Sequence, residues 1–207
     1  LSETWKQSSR VSEQAENADP QNRLWSHAQL RRLDAEAVRD SLLSISGRLD
    51  LTPGGPPDTV TTALDGEVTA DALPSGNWRR SVYLQLRRTE MPSLLKTFDY
   101  PEMGPNCVTR TVSVVSPQSL LLLNNRRVRE LSDSFATRVL NAADGDPVTQ
   151  MKIAWQRAFG RSPEDQELMS AQSAMNALVQ AWDGNKEAAF RTWCHTLLNS
   201  AEFLYVD

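Results

Sequence analysis

The sequence predicts a mainly α-helical fold, a helical bundle with a loop-rich insertion that carries a small β-hairpin or short sheet. Apolar residues recur at helical spacing in several segments, and most of these segments lie after residue 115. Between residues 48 and 77, prolines and glycines interrupt every helical pattern. We therefore expect a single domain over residues 1–207, with a loop-rich, short-strand subregion at 48–115 and the helical bundle at 116–207.

The first elements are a polar lead-in and one helix. Residues 1–24 carry few large apolar side chains, which predicts an extended or partly ordered segment. An amphipathic pattern then predicts a helix that begins at about Ala28 or Asp34 and ends at Ser46. Gly47 follows as a natural stop, because glycine adopts the left-handed conformation at little cost.

Extended segments are predicted within the insertion. Thr59–Thr62 and Glu67–Thr69 can pair as a hairpin around a two-residue Asp65-Gly66 turn. Ser81–Arg88 alternates apolar and polar side chains, which is typical of a strand. Thr109–Val115 is rich in β-branched residues and is a further candidate strand.

The remainder of the chain is helical by local rules. A short apolar helix is expected from Ser116 through Leu123, and an apolar stripe at positions 128, 131, 135 and 139 predicts the next helix. Ser162 and Asp165 have the spacing of a variant capping box. Three more helices are predicted, at Pro147–Phe159, Pro163–Trp182 and Lys186–Asn199.

Charge and hydropathy exclude two kinds of partner. The 22 basic and 26 acidic residues give a net charge of −4, so no overall positive field attracts nucleic acid. No window approaches the roughly 18 uninterrupted apolar residues of a membrane helix, so no membrane span is expected. Arginines far outnumber lysines. This bias indicates either partly buried arginine contacts or a GC-rich genome.

Neither cysteine belongs to a redox, zinc or haem-attachment motif. Cys107 and Cys194 have no C-x-x-C partner and no C-x-x-C-H context, so we expect no haem, other cofactor or metal in this chain. Cys194 is expected to be a small buried side chain on a helix. A Cys107–Cys194 disulfide is a separate alternative if the protein is exported.

Two features leave a binding role open. The segment Pro53–Pro56 is either a rigid turn or a ligand-binding loop. Trp78, like Trp5 and Trp25, lies in irregular surroundings and is a candidate surface aromatic side chain. No phosphate-binding glycine loop, serine hydrolase elbow or zinc protease motif occurs. The chain therefore carries no recognisable catalytic signature.

Collinear segments carry a resemblance to a family. They are RRLDAEAVRDSLLSISGRLD (Arg31–Asp50), the stretches Arg79–Glu102 and Cys107–Asn125, and the stretches Ala158–Leu168 and Trp193–Asp207. Together they resemble the C-terminal domain of unknown function in planctomycete cytochrome-linked (cytochrome c-like) exported proteins. The resemblance covers nearly the whole chain, from about Gln7 to Asp207.

The resemblance implies a place in a larger protein. Members of that family typically carry a haem-binding module and another conserved domain upstream, so this chain resembles the C-terminal part of such a protein. Haem is then expected only in an upstream domain, and an extracytoplasmic location, periplasmic or secreted, is implied. The implied partners are the upstream domains of the same polypeptide or another protein, with carbohydrate as a further candidate.

Polar residues embedded in apolar segments match the family pattern, and such residues are either hydrogen-bond anchors or site residues. They form a candidate polar cluster of Arg39, Arg110, Gln118, Asn124, Asn199 and Glu202. Our leading hypothesis is a non-catalytic accessory or interaction domain. The alternative is part of a substrate-binding or catalytic unit that acts on a polysaccharide, or in redox chemistry, together with upstream domains. Its cleft would involve the loop at 48–77 with Arg110, Gln118 and Trp78.

Overall fold

A helical bundle is joined to a loop-rich subregion, and the described residues form three two-stranded sheets, two of them within that subregion. The computed structural model describes residues 2–3, 6–101, 107, 109–143 and 145–206. The helices are α1 (Glu13–Ala18), α2 (Ala35–Ser46), α3 (Ser93–Thr97), α4 (Ser116–Asn124), α5 (Arg126–Leu140), α6 (Pro147–Phe159), α7 (Asp165–Ala181), α8 (Lys186–Leu198) and α9 (Ala201–Leu204). The strands are β1 (Arg31–Arg32), β2 (Leu49–Asp50), β3 (Val60–Thr62), β4 (Val68–Ala70), β5 (Trp78–Arg79) and β6 (Tyr205–Val206). The predicted mainly α fold with a small β insertion is confirmed.

Helix α5 is the centre of the hydrophobic core. Its predicted stripe of Val128, Leu131, Phe135 and Val139 is buried. Helices α2 and α8 both pack against α5, and α7 packs against α8. Burial of a side chain such as Phe135 contributes about 1.5–3 kcal/mol. The core therefore joins the N-terminal and C-terminal parts of the chain.

Side-chain caps and glycines set the helix ends. Asn125 and Asp146 accept hydrogen bonds from the backbone N–H groups three residues further on, at 3.1 and 2.9 Å. Gly47 and Gly160 end α2 and α6 in the left-handed conformation, with φ of +76° and +75°. These local signals are sufficient to give the predicted bounds of α6.

The start of α7 differs from the prediction. Its capping box is formed by Glu164 and Glu167, not by Ser162 and Asp165. The Glu164 N–H donates to the Glu167 carboxylate at 2.7 Å. That carboxylate also accepts hydrogen bonds from Arg161. The ion pair places Glu167 at the start of the helix, so the helix begins at Asp165.

The β3–β4 hairpin is confirmed, with a different turn. The strands pair antiparallel, and Thr61 lies opposite Thr69. The Ala63 N–H donates to the Glu67 carbonyl at 2.8 Å, which closes a three-residue loop. Gly66 lies in that loop at φ +85°. The connection is therefore a turn followed by a left-handed residue, where a two-residue turn was predicted.

The predicted strand Ser81–Arg88 is wrong. Ser81–Tyr83 forms a single 3₁₀ turn. Asp40 on α2 accepts hydrogen bonds from the backbone N–H and the hydroxyl of Ser81, both at 2.7 Å. This tertiary contact holds the backbone in a turn and outweighs the alternating sequence pattern.

The predicted strand Thr109–Val115 is wrong, because residues 109–115 form no strand. Arg32 donates to the Ser113 carbonyl at 2.5 Å, and Asp99 accepts from the Ser113 N–H at 2.8 Å. Side chains therefore bind the backbone groups that a neighbouring strand would otherwise satisfy.

Sequence-distant segments meet in the β1–β6 sheet. The strands pair antiparallel, with Arg31 opposite Val206. The Leu33 N–H extends the pairing by donating to the Leu204 carbonyl at 2.7 Å. This sheet holds the start of α2 beside the end of α9.

Candidate functional site

The six predicted polar residues belong to separate local networks. Gln118 is buried on α4 and donates from Nε2 to the carbonyls of Thr97 and Ser113, at 3.1 and 3.2 Å. These bonds fasten α4 to the end of α3 and to the extended segment that precedes α4. The side chain of Gln118 therefore acts as an internal anchor.

Asp99 is the charged centre of the network around Gln118. Its carboxylate accepts from Arg32 Nη2 at 2.8 Å and from the Ser113 hydroxyl at 2.7 Å. Partial burial raises the pKa of Asp99, but the hydrogen bonds from Ser113 and Arg32 outweigh burial, so the pKa lies below its usual value. This ionised carboxylate compensates the buried guanidinium of Arg32.

Arg110 and Glu202 form ion pairs near the surface. Arg110 donates to both carboxylate oxygens of Glu36, each at 2.8 Å. Glu202 accepts from Arg161 Nε at 2.6 Å. Water screens such partly exposed pairs, so they contribute little to stability. Neither pair lies beside Gln118 in one shared cluster.

Asn199 and Asn124 lie at the C-terminal ends of α8 and α4. Asn199 donates from Nδ2 to the His195 carbonyl at 2.8 Å. Its buried Oδ1 has no hydrogen-bond partner in the described part of the chain. Asn124 is exposed. No hydrogen bond joins the two asparagines among the described residues.

The alternative of a Cys107–Cys194 disulfide is corrected by the structure. Both thiols are free: Cys107 is exposed, and Cys194 is buried on α8. Burial raises the pKa of the Cys194 thiol far above its usual value. Cys194 is therefore a protonated, inert part of the core, as expected for a small buried side chain.

Trp78 is a second correction, because it is not a surface aromatic side chain. It is only 9% exposed. Its indole N–H donates to the Ala70 carbonyl at 3.2 Å, and the Arg127 guanidinium lies 4.8 Å from its ring centre. Trp25 is exposed, and Trp5 lies outside the described residues.

The Pro53–Pro56 segment is a turn that Arg79 holds in place. Arg79 is buried and donates to the carbonyls of Gly54 and Pro56 and to the Asp58 carboxylate. Its guanidinium lies 4.6 Å from the ring centre of Tyr83. Sequence reasoning missed this clamp because its carbonyl partners precede Arg79 by 25 and 23 residues. The bias toward arginine was its only signal.

A small pocket lies beneath the hairpin, between α2 and α5. Its volume is about 60 Å³. We call it the hairpin pocket, and its walls include Arg39, Leu42, Val68, Trp78, Arg127 and Leu131. The structure thus brings two predicted residues, Arg39 and Trp78, to one pocket. Arg110 and Gln118 do not line it.

Arg39 is the buried charge of the hairpin pocket. It is 9% exposed, and Nη1 donates to the Arg79 carbonyl at 3.0 Å and to the Ser81 hydroxyl at 3.2 Å. Burial lowers the pKa of Arg39 to about 10, although the charges of Asp40 and Asp58 oppose that shift. The guanidinium is therefore charged at neutral pH.

Metal ligation and membrane insertion find no support in the residues that the structure describes. No three His, Cys, Asp or Glu side chains among them lie close enough together to hold a metal ion. Within the same residues, no helix is long and apolar enough to cross a membrane. His195 instead contacts a backbone carbonyl, that of Leu122, at 2.9 Å from Nε2.

Fold and site together define a mainly α-helical domain in which buried arginines bind loop carbonyls beside a small, largely apolar pocket. The chain belongs to the family PSD1, a protein of unknown function (DUF1553), whose model matches residues 1–175. The match ends within α7, and α8 beyond it completes the packing around α5. Comparisons with curated proteins and with solved structures gave no match.

Proposed function

We propose that this chain is a non-catalytic accessory domain of an extracytoplasmic, cytochrome-associated planctomycete protein, and that it docks onto the domains that precede it in the polypeptide. The resemblance described above supplies the setting, with haem held in an upstream domain. One observation carries the docking role: an outward-facing apolar surface on and before α4.

That surface arises because α4 directs its glutamine inward and leucines outward. Gln118 and Leu122 are buried, and the outward residues are between 44% and 76% exposed. We call this the α4 surface, and its residues are Val112, Val114, Val115, Leu120 and Leu123. Single exposed apolar residues are ordinary, but five within twelve consecutive positions support an interaction role.

The charge around the α4 surface indicates the chemistry of its partner. Arg110 pairs with Glu36, and Arg126 and Arg127 both pair with Glu130, whereas Arg129 forms no ion pair with a described residue. Arg129 borders the surface directly, since its Nε donates to the Leu123 carbonyl at 3.1 Å. A complementary partner has an apolar centre with carboxylates at its rim.

The internal use of the predicted polar residues supports a non-catalytic role. Gln118 is committed to backbone carbonyls, Arg110 to Glu36, and Glu202 to Arg161. A catalytic group needs polar atoms that converge on a substrate in an open site. These side chains instead connect helices and loops of the domain to one another.

Photo-crosslinking in the full-length polypeptide tests the docking role. Benzoylphenylalanine replaces Leu120 in one variant and Met169, an equally exposed apolar residue on α7, in the control. We expect irradiation at position 120 to give crosslinks to acidic segments of the preceding domains, and position 169 to give none. Equal crosslinking at the two positions, or crosslinks from position 120 only to other molecules, contradicts the proposal.

A second candidate function, carbohydrate binding, has one observation in its favour. An open cleft of about 670 Å³ is lined by Glu202 together with Arg157, Ser44 and Tyr205. This volume is in the range of ligand sites, whereas the hairpin pocket is too small for a sugar ring. Titration with cellohexaose and oligogalacturonate, followed by calorimetry, tests it. Saturable binding that Glu202→Gln weakens supports carbohydrate binding. The absence of a binding heat with both sugars excludes binding of these two sugars.

A further inference from the structure

The guanidinium of Arg39 has hydrogen-bonding capacity that the described protein leaves unused. Its Nη1 donates to the Arg79 carbonyl and the Ser81 hydroxyl. Nε and Nη2 make no hydrogen bond to any described residue, and neither atom is fully buried, while Arg39 lines the pocket. A charged donor that is nine-tenths buried normally has partners for all its N–H groups.

Nearby carboxylates do not supply that missing partner. Asp40 Oδ1 lies 3.5 Å from Arg39 Nη1, but that oxygen accepts both hydrogen bonds from Ser81, and Oδ2 accepts one from Arg80. Glu67, at the pocket wall, accepts a hydrogen bond from Asn125. Neither carboxylate therefore accepts a hydrogen bond from Nε or Nη2 of Arg39.

A second cation, Arg127, lies at the wall. Arg127 lines the pocket over the face of Trp78, and it pairs with Glu130 outside the pocket at 2.7 Å. The remaining walls are mostly apolar, with Leu42, Val68 and Leu131 among them. An occupant must therefore combine a negative head with an apolar body.

The volume limits the length of that body. A single water needs roughly 10–15 Å³ on this measure. The pocket, at about 60 Å³, therefore has room for about four to six non-hydrogen atoms, if each takes the volume of one water. Acetate, propionate and butyrate have that size, whereas a sugar or an aromatic acid does not.

We propose that the hairpin pocket binds a short-chain aliphatic carboxylate, with its head on the free N–H groups of Arg39 and its chain against Leu42, Val68 and Leu131. A carboxylate accepts two parallel hydrogen bonds from a guanidinium. At neutral pH it is therefore the strongest partner for the Nε and Nη2 donors of Arg39. The proposal is independent of docking by the α4 surface.

Nuclear magnetic resonance of the indole N–H of Trp78 reads out the pocket directly, because this ring lines it. The Trp78→Phe variant assigns the signal. The protein is titrated with butyrate at constant ionic strength, and with butyramide as the uncharged control of equal size. We expect a saturable shift with butyrate in the millimolar range and none with butyramide. Equal shifts with both, or no shift with butyrate, overturn the proposal.

Matched variants separate the pocket from non-specific anion binding. Val68→Phe fills the pocket, whereas Val60→Phe changes the neighbouring strand outside it. We expect Val68→Phe to weaken butyrate binding at least tenfold and Val60→Phe to leave it within twofold. Arg39→Lys keeps the positive charge but loses the pair of parallel N–H donors. We expect this variant also to bind butyrate at least tenfold more weakly. Unchanged affinity in both pocket variants contradicts the proposal.

Discussion

The Asp40 carboxylate on α2 accepts hydrogen bonds from both the backbone N–H and the hydroxyl of Ser81, each 2.7 Å long. The preceding residue, Arg39, donates to the carbonyl of Arg79 and to the same hydroxyl. Two consecutive residues of one helix thus fix the segment that follows β5. Arg79, the last residue of β5, in turn clamps the turn at 53–56.

Asp40→Ala should destabilise the protein by about 1–3 kcal/mol, because it leaves the buried N–H of Ser81 without a partner. Urea unfolding measures the loss. Asp34→Ala is the matched control, since Asp34 is exposed and its side chain makes no cap hydrogen bond. We expect the control to change stability by less than about 0.5 kcal/mol. An equal loss in both variants contradicts the structural role of the Asp40–Ser81 contact.

Phe135→Ala should cost about 3–5 kcal/mol, because it opens a cavity at the centre of the core. Thermal and urea unfolding both report this change. Leu64→Ala at the tip of the hairpin is the control, because Leu64 is fully exposed. A loss below about 1 kcal/mol for Phe135→Ala is incompatible with α5 as the core helix.

The Arg161–Glu167 pair should make stability depend on acid pH. Hydrogen bonds from Arg161 lower the pKa of Glu167 to about 2, from an ordinary value of 4.5. Because folding lowers this pKa, the stabilisation is present above about pH 4.5 and is lost as the pH falls toward 2.

Melting temperatures of the original protein and of Glu167→Gln, compared at several pH values, measure that dependence. We expect the variant to melt lower at pH 7, and the gap between the two proteins to shrink below about pH 4.5. The gap is small, because both side chains are partly exposed. A gap of constant size down to about pH 3 contradicts the assignment.

Thiol labelling distinguishes the two cysteines. In the folded protein, iodoacetamide should modify Cys107, which is exposed, and leave Cys194 unmodified. Cys194 should react only after unfolding, because burial keeps its thiol protonated. Mass spectrometry counts the modified sites. Two unreactive cysteines that become labelled only after reduction restore the disulfide alternative.

Local sequence signals were sufficient for most helices but not for the segments that tertiary contacts shape. The stripe of α5 and the glycines after α2 and α6 act within one or two turns, so the sequence reveals them. Ser81–Arg88 failed because Asp40, 41 residues earlier, binds Ser81. An alternating pattern contains no information about such a distant carboxylate.

The candidate site was predictable only in its parts. Arg39 and Trp78 were named from the sequence, but as a polar anchor and a surface ring. Their shared pocket is closed by Val68 on the hairpin and by Arg127, which lies far from both along the chain. The cavity depends on how the hairpin packs over α2 and α5, and no local pattern encodes that packing.

Hydrogen exchange over residues 109–125 tests most directly the claim that the α4 surface is a docking face. Deuterium uptake is compared between the isolated chain and the full-length polypeptide, with peptides from α6 as the internal reference. We predict slower uptake over residues 109–125 in the full-length polypeptide and unchanged uptake in α6. Equal uptake over residues 109–125 in both proteins contradicts the account.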